Sequence, residues 1–201
     1  NGMPDKLADL LSHAYEKGEK MASIVQNLQD FARGRSDRKQ LSNIVDRMEH
    51  TLELAGDVLS GPSGLKFNDI RIERNYEENL PMIPCYVTEL QQVFLSLFRH
   101  AYDALGRVND PAHKPTIVIQ MNVSYDSFWI RIQHNGVGIT SEDQSNLFEP
   151  FVSKDTPELE YDAGKRLSSA YFIITEQHQG YMAVTSYITG GTTFHIQMLL
   201  K

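Results

Sequence analysis

Four segments of the chain alternate apolar and polar residues, as β-strands do when one face is buried and the other is solvated. They are residues 116–123, 128–133, 180–186 and 192–200. Such alternation is typical of antiparallel pairs. Because the apolar face runs along every strand, helices from the rest of the chain must cover it. The sequence therefore predicts an α+β fold, a two-layer α/β sandwich in which helices pack on one face of a mixed sheet.

Helical periodicity supplies the covering layer. Apolar residues recur with helical spacing over 41–59, 86–105 and 167–178, and residues 67–76 predict a further strand. A loop-rich stretch, 134–165, separates the two pairs of alternating strands. The predicted order of this part of the chain is therefore α-β-α-β-β, then the long loop, then α-β-β.

A long amphipathic helix is predicted ahead of this sandwich, over residues 5–34. Its apolar positions follow a heptad spacing and are Leu7, Leu11, Ala14, Gly18, Met21, Val25 and Leu28. At about 1.5 Å per residue, the helix is a rod of about 42 Å. Such a rod either lies on its own domain or, as its length favours, joins a dimerising bundle. We therefore divide the chain into residues 1–37, the long helix, and residues 38–201, the sandwich, and expect a homodimer through residues 5–34.

The net charge and the cysteine content narrow the classes of function. The 201-residue chain carries 19 Lys and Arg against 26 Asp and Glu, a formal net charge of −7. This balance argues against a nucleic-acid partner and against an anionic membrane surface. Cys85, the one cysteine, excludes an internal disulfide and is expected to be a buried or half-buried apolar side chain. No apolar stretch reaches the roughly 20 residues of a membrane span, and we expect a reducing, cytoplasmic location without membrane contact in this chain.

Five short motifs follow one another along the sandwich part. They are LQQVFLSLFRHAYDAL (90–105), HNGVGI (134–139), LFEPF (147–151), DAGKRLS (162–168) and GGTTF (190–194). In this order and spacing the set resembles the catalytic ATP-binding domain of sensor histidine kinases, in the superfamily shared with gyrase, Hsp90 and MutL. Residues 22–33 resemble the second helix of that family's dimerisation and phosphotransfer hairpin. The resemblance covers nearly the whole chain and implies two-component signalling, with ATP and Mg²⁺ as cofactors and a response regulator as partner.

The resemblance assigns roles to single positions. In the family, an Asn on the helix motif holds Mg²⁺ beside the phosphates, and His100 stands at that position. An Asp that accepts a hydrogen bond from the adenine amino group opens the next motif, and His134 stands there. The expected cofactor-binding residues are His100, His134, Gly136, Gly138, Phe151, Gly164, Arg166 and Thr192, with His100 as the metal ligand.

The remaining positions match the family to different degrees. Gly136 and Gly138 correspond to glycines that let the backbone approach the base, and Phe151 belongs to the element that anchors a lid over the triphosphate. Gly164 is the one glycine that remains of three in the phosphate motif, where Asp162 and Arg166 replace the others. Thr192 matches a threonine that lies near the adenine in the family.

The substitutions at these positions weaken nucleotide binding on chemical grounds. A neutral imidazole at His134 has one acceptor nitrogen, and its wrong tautomer turns a donor towards the donor amine. Such a buried mismatch costs about 1–3 kcal/mol, which is up to about a hundredfold in affinity. Mg²⁺ prefers oxygen ligands, whereas imidazole suits softer metals, so His100 weakens the metal site. Asp162 adds a negative charge where phosphates lie.

The phospho-acceptor histidine of the family is also missing from the expected place. His13 is followed by Ala14 rather than by an acidic residue, and it falls on the outer face of its predicted helix. We therefore interpret the chain as a histidine-kinase-like protein of two-component signalling with a degenerate ATP site, acting mainly as an interaction and dimerisation module. The alternative is an active histidine kinase domain whose acceptor histidine lies upstream. A water-activating ATPase is disfavoured, because Ser96 stands where a Glu would be needed.

Overall fold

The computed structural model describes residues 38–61, 63–149 and 167–200. The strands in chain order are β1 (Gln40–Ser42), β2 (Arg71–Tyr76), β3 (Ile83–Cys85), β4 (Thr116–Ser124), β5 (Ser127–His134), β6 (Tyr181–Tyr187) and β7 (Gly191–Leu199). The helices are α1 (Ile44–Val58), α2 (Val87–Leu105), α3 (Ser141–Asn146) and α4 (Ser168–Phe172), with a 3₁₀ turn at Phe67–Asp69 and a π-helical turn at Ile173–Gln177. The helix predicted over 5–34 lies outside the described residues, and the division of the chain at residue 37 stays a prediction.

Five strands form one mixed sheet in the order β2-β4-β5-β7-β6. β2 pairs with β4 in parallel, and the other neighbours are antiparallel. The sheet residues buried on one face include Ile117, Ile119, Met121, Phe128, Ile130, Ile132, Phe194, Ile196 and Met198. They form one core with the buried side chains of α1 and α2. The predicted sandwich, with helices on one face of a mixed sheet, is therefore confirmed.

A second, two-stranded antiparallel sheet joins β1 to β3, which the sequence pattern did not predict. Residues 40–42 form strand β1 in this pairing. Asn43 follows and caps α1, because its side chain accepts hydrogen bonds from the backbone N–H groups of Val45 and Asp46. The helix therefore begins at Ile44 rather than at residue 41. Cys85 ends β3 and is fully buried, as predicted.

The other boundaries differ where the backbone makes short-range hydrogen bonds. Asp69 N–H donates to the Lys66 carbonyl at 3.0 Å, and Ile70 N–H donates to the Phe67 carbonyl at 3.1 Å, so the predicted strand 67–76 shortens to Arg71–Tyr76. The helix predicted over 167–178 is α-helical only over Ser168–Phe172 and continues as the π-helical turn. His178 closes that turn, because its backbone N–H donates to the Ile173 carbonyl at 3.1 Å.

Candidate functional site

His134 is the last residue of β5, and its side chain lies on the buried face of the sheet. It continues the inward series of Phe128, Ile130 and Ile132 and is completely buried. Across the sheet it pairs with Ile117 on β4 and with Thr192 on β7. The strand register therefore fixes the imidazole in the interior, at the point where the chain leaves the sheet.

The imidazole of His134 is neutral, and a backbone amide fixes the position of its hydrogen. Burial, together with the charges of His100 and Arg107, lowers its pKa to about 3. Gly136 N–H donates to Nδ1 at 3.2 Å. Because Nδ1 accepts, the hydrogen of the neutral ring resides on Nε2. Nε2 is buried and has no hydrogen-bond partner among the described residues.

His100 lies behind this ring on α2. Its ring centroid is 5.7 Å from that of His134 and 5.2 Å from that of Phe194, with an edge-on arrangement at Phe194. The side chain is buried on the core face of the helix, between residues of the hydrophobic core. An imidazole packed among rings is a poor substitute for the oxygen ligands that Mg²⁺ prefers.

Gly136 and Gly138 are required by protein contacts of the loop after β5. A Cβ on Gly136 would meet the backbone of Ala104 and Leu105 at 2.6 Å, and one on Gly138 would overlap the Tyr187 carbonyl. Between these glycines, Val137 N–H donates to the Ala104 carbonyl at 3.1 Å, and Gly138 N–H donates to the Ile188 carbonyl at 3.2 Å. The two glycines therefore let the loop pack against the end of α2 and the turn after β6.

Thr192 is buried beside His134 and is tied into a hydroxyl network. Its Oγ1 lies 2.7 Å from Ser186 Oγ. The Ser186 hydroxyl donates to the Gly191 carbonyl at 2.9 Å and accepts from Ile139 N–H at 2.8 Å. The network holds the loop after β5 against the β6–β7 hairpin. Gly191 has φ +82°, and a Cβ there would overlap the His134 carbonyl.

The structure thus brings together five of the predicted site residues, which are His100, His134, Gly136, Gly138 and Thr192. Phe151, Gly164 and Arg166 lie outside the described residues. Two residues that hold this loop, Ser186 and Gln144, were not predicted from the sequence. Gln144 Nε2 donates to the Ile139 carbonyl at 3.1 Å and to the Ser186 carbonyl at 3.2 Å. Neither residue falls within the five motifs, and only the fold places them at the loop.

Among the described residues, no group of three or more His, Cys, Asp or Glu side chains is placed to hold a metal ion. None of their helices combines the length and the apolar composition that a membrane crossing requires.

Comparison with known families identifies the domain. The model of the histidine kinase-, DNA gyrase B- and HSP90-like ATPases matches residues 86–201, more than half of the chain. The chain belongs to this family. The relatives and solved structures described below are, by name, a sensor protein, a sporulation kinase and histidine kinases, and the domain is similar to their catalytic domain.

The relatives are distant and much longer than this chain. The chain is 26% identical over 195 residues to the sensor protein FixL of Bradyrhizobium diazoefficiens, which covers 96% of this chain and 35% of that protein. It is 24% identical over 183 residues to sporulation kinase E of Bacillus subtilis, which covers 91% of this chain and 23% of that protein. The chain therefore spans about a third or less of these curated relatives.

Solved structures show the same fold at lower identity. Histidine kinase ThkA, in a crystal structure with the response regulator protein TrrA, matches with a TM-score of 0.70 and 16% identity, covering 100% of this chain and 53% of that one. Acinetobacter baumannii histidine kinase AdeS matches with a TM-score of 0.65 and 18% identity, covering 96% and 84%. These likenesses support the fold.

The described side chains do not fit the family's cofactors, ATP and Mg²⁺. His134, at the position that accepts from the adenine amine in the family, presents a buried donor instead of an acceptor. His100, at the metal position, is an imidazole among the rings of His134 and Phe194. Both disagreements concern chemistry rather than fold, since the scaffold around the two residues is intact.

Proposed function

We propose that this chain is a histidine-kinase-like signalling module whose nucleotide site does not recognise ATP in the manner of its family, and which acts mainly through interaction and dimerisation. The observation that carries the proposal is the buried Nε2–H of His134 at the base-recognition position. It supports loss of adenine recognition because the adenine amino group is itself a donor. Two donors that face each other leave both unsatisfied.

The size of the effect follows from the desolvation of the two groups. A buried donor left without an acceptor costs about 1–3 kcal/mol. At about 1.4 kcal/mol per factor of ten, ATP affinity falls up to about a hundredfold from this contact alone. The imidazole of His100 in place of an oxygen ligand weakens Mg²⁺ binding in addition.

The partners that we propose are a second copy of the chain, through residues 5–34, and a response regulator in the cytoplasm. The heptad spacing of the apolar residues in 5–34 supports the first partner. The second is supported by the ThkA structure, in which a histidine kinase of the same fold is in complex with a response regulator. Size-exclusion chromatography with light scattering, on the chain and on its Leu11→Asp Met21→Asp variant, tests the dimer. We expect a dimer that the double variant converts to a monomer.

Calorimetric titration with Mg-ATP tests the loss of adenine recognition. We expect no saturable binding of micromolar ATP by the 201-residue chain. His50→Ala is the matched control, because His50 is exposed on α1. Micromolar ATP binding that His134→Ala abolishes and His50→Ala preserves would contradict the proposal.

A second candidate is an active catalytic domain whose acceptor histidine lies upstream. The intact sandwich and the names of the relatives, among them sporulation kinase E, support it. Transfer of radiolabel from γ-labelled ATP to a supplied phosphotransfer hairpin, with Mg²⁺, Mn²⁺ or Zn²⁺, separates the two candidates. Labelling that the His134→Ala variant loses would favour the active domain, and its absence under all three metals favours the interaction module.

A further inference from the structure

We infer that His134 makes this site selective for a 6-oxopurine nucleotide, whose base presents a carbonyl oxygen to the Nε2–H of the imidazole. The inference rests on the proposed function in one respect, because it takes residue 134 as the position that contacts the base. A site that rejects adenine in this way accepts a base with an acceptor at the same position.

The hydrogen of the neutral His134 ring has a defined position. Gly136 N–H lies 3.2 Å from Nδ1 of His134. A backbone amide only donates, so Nδ1 accepts and the neutral ring carries its hydrogen on Nε2. The opposite tautomer would place two donors against each other. His134 therefore offers a donor at Nε2, and the geometry of Gly136 sets this polarity.

The described residues supply no acceptor for this donor. The side chain is completely buried, and Nε2 meets no acceptor among them. The nearest polar side chain across the strand ladder is that of Thr192, whose hydroxyl is hydrogen bonded to Ser186. Buried polar groups in folded proteins are nearly always satisfied, and an exception calls for an explanation such as a ligand.

The surroundings of His134 make a hydrogen bond from Nε2–H to a ligand acceptor stronger than the same bond would be in water. The ring of His100 lies 5.7 Å away, and Phe194 packs on His100 at 5.2 Å. Hydrogen bonds strengthen in such low-dielectric surroundings, and unpaired donors there are correspondingly unfavourable. A ligand that brings an acceptor is therefore selected strongly against one that brings a second donor.

The 6-aminopurine adenine and the 6-oxopurines differ in the hydrogen-bonding group at position 6 of the ring. Adenine carries an amino group at position 6, which donates, whereas guanine and hypoxanthine carry a carbonyl oxygen, which accepts. At position 6, the carbonyl oxygen of a 6-oxopurine complements Nε2–H, and the amino group of adenine does not. An Asp at this position has the reverse preference, because an ionised carboxylate only accepts. The His134→Asp substitution should therefore invert the selectivity without altering the fold around it.

Calorimetric titration of the full 201-residue chain with Mg-ITP, Mg-GTP and Mg-ATP tests the inference. ITP and ATP share their ribose and triphosphate, so the difference between their affinities reports only on the contacts of the base. We expect ITP and GTP to bind about tenfold to a hundredfold more tightly than ATP. His134→Asp should reverse the order, and His50→Asp, the same change at an exposed position of α1, should leave it unchanged.

Each outcome decides one way. A wild-type preference for ITP and GTP that His134→Asp reverses establishes the inference. Equal affinity for all three nucleotides overturns it, and preferred binding of ATP overturns both it and the proposed function. Binding of no nucleotide overturns the inference and leaves the proposed function standing. If circular dichroism shows that His134→Asp is unfolded, the wild-type ratio of ITP to ATP affinity decides alone.

Discussion

His134 and His178 are two buried histidines of one domain that differ in how their nitrogens are satisfied. His178 accepts from Tyr86 N–H at 3.0 Å through Nε2, and its Nδ1 lies 2.8 Å from the Ile173 carbonyl, so both nitrogens have partners. His134 has one partner, Gly136 N–H, and a buried Nε2–H without one among the described residues. Full satisfaction marks a histidine that supports structure. The Nε2–H of His134 is the group that we propose to contact a ligand.

The positions of the two histidines in the fold explain why their hydrogen-bond partners differ. His178 follows the π-helical turn and reaches the residue that precedes α2, where helix N–H groups lack internal partners. Its imidazole takes the place of a capping side chain, since Tyr86 supplies none. His134 ends a strand and is held by the loop after β5. The same residue type is therefore a cap in one place and a recognition group in the other.

The largest expected effect is on the pH dependence of stability. Burial lowers the pKa of His134 to about 3, so the unfolded chain binds more protons than the folded one between about pH 6.5 and 3. The free energy of unfolding should be unaffected by this group above pH 6.5 and fall below it by up to about 1.4 kcal/mol per pH unit. The His134→Phe variant should lose most of that slope. Urea unfolding at several pH values measures it, and equal slopes in the two proteins would contradict the assignment.

A smaller but direct loss of stability is expected from His178→Leu. The substitution leaves Tyr86 N–H and the Ile173 carbonyl without their side-chain partner, which costs about 2–3 kcal/mol at neutral pH. Urea unfolding monitored by circular dichroism measures the change, with His50→Leu on the exposed side of α1 as the control. A change below about 0.5 kcal/mol, the range of ordinary surface substitutions, would show that the cap has no structural role.

An intermediate effect is expected from Ser186→Ala. The Ser186 hydroxyl joins Thr192, the Gly191 carbonyl and Ile139 N–H, and its loss should destabilise the chain by about 1–2 kcal/mol. Ser145→Ala is the matched control, because the Ser145 hydroxyl bonds only within its own exposed helix turn. Thermal unfolding of the two variants compares them, and equal midpoints would mean that the hydroxyl network does not hold the loop.

The smallest expected effect is that of His134→Phe on stability at pH 8. His134→Phe at pH 8 removes a buried donor that has no partner among the described residues, but it also takes the acceptor from Gly136 N–H. Because these two effects oppose each other and a ring of similar size is kept, stability should change by less than about 1 kcal/mol. His178→Phe at the same pH should still show the loss expected for His178→Leu. Parallel urea titrations decide the point. Losses of the same size in both variants would mean that the two histidines have the same role.

The sheet and the helices were predictable because their signal is periodic. The alternation over 128–133 places Phe128, Ile130 and Ile132 on one face, and the same register carries His134 inward. The short sheet of β1 and β3 was not predictable, because Gln40–Ser42 has too few residues to show alternation. The π-helical turn was also missed, since it depends on the contacts that His178 makes with Ile173.

The site was predictable as a set of positions but not as chemistry. The motifs placed His100, His134, Gly136, Gly138 and Thr192 together, and the structure does so. The sequence does not tell which nitrogen of His134 carries the hydrogen, because that depends on the direction of one backbone N–H. Nor does the sequence show that the hydrogen atoms of Gly136 and Gly138 leave room for the backbone of Ala104 and Tyr187, and the predicted role of these glycines in cofactor binding stays a prediction.

The hydrogen bonds of the loop after β5 bear on how fast its amides exchange with solvent. Four consecutive amides, Gly136 to Ile139, donate in turn to His134 Nδ1, the Ala104 carbonyl, the Ile188 carbonyl and Ser186 Oγ. Although the loop contains no helix or strand, these amides should exchange as slowly as those of the sheet. All four amides already have acceptors within the protein. A ligand that binds beside this loop is therefore recognised by side chains rather than by these backbone N–H groups.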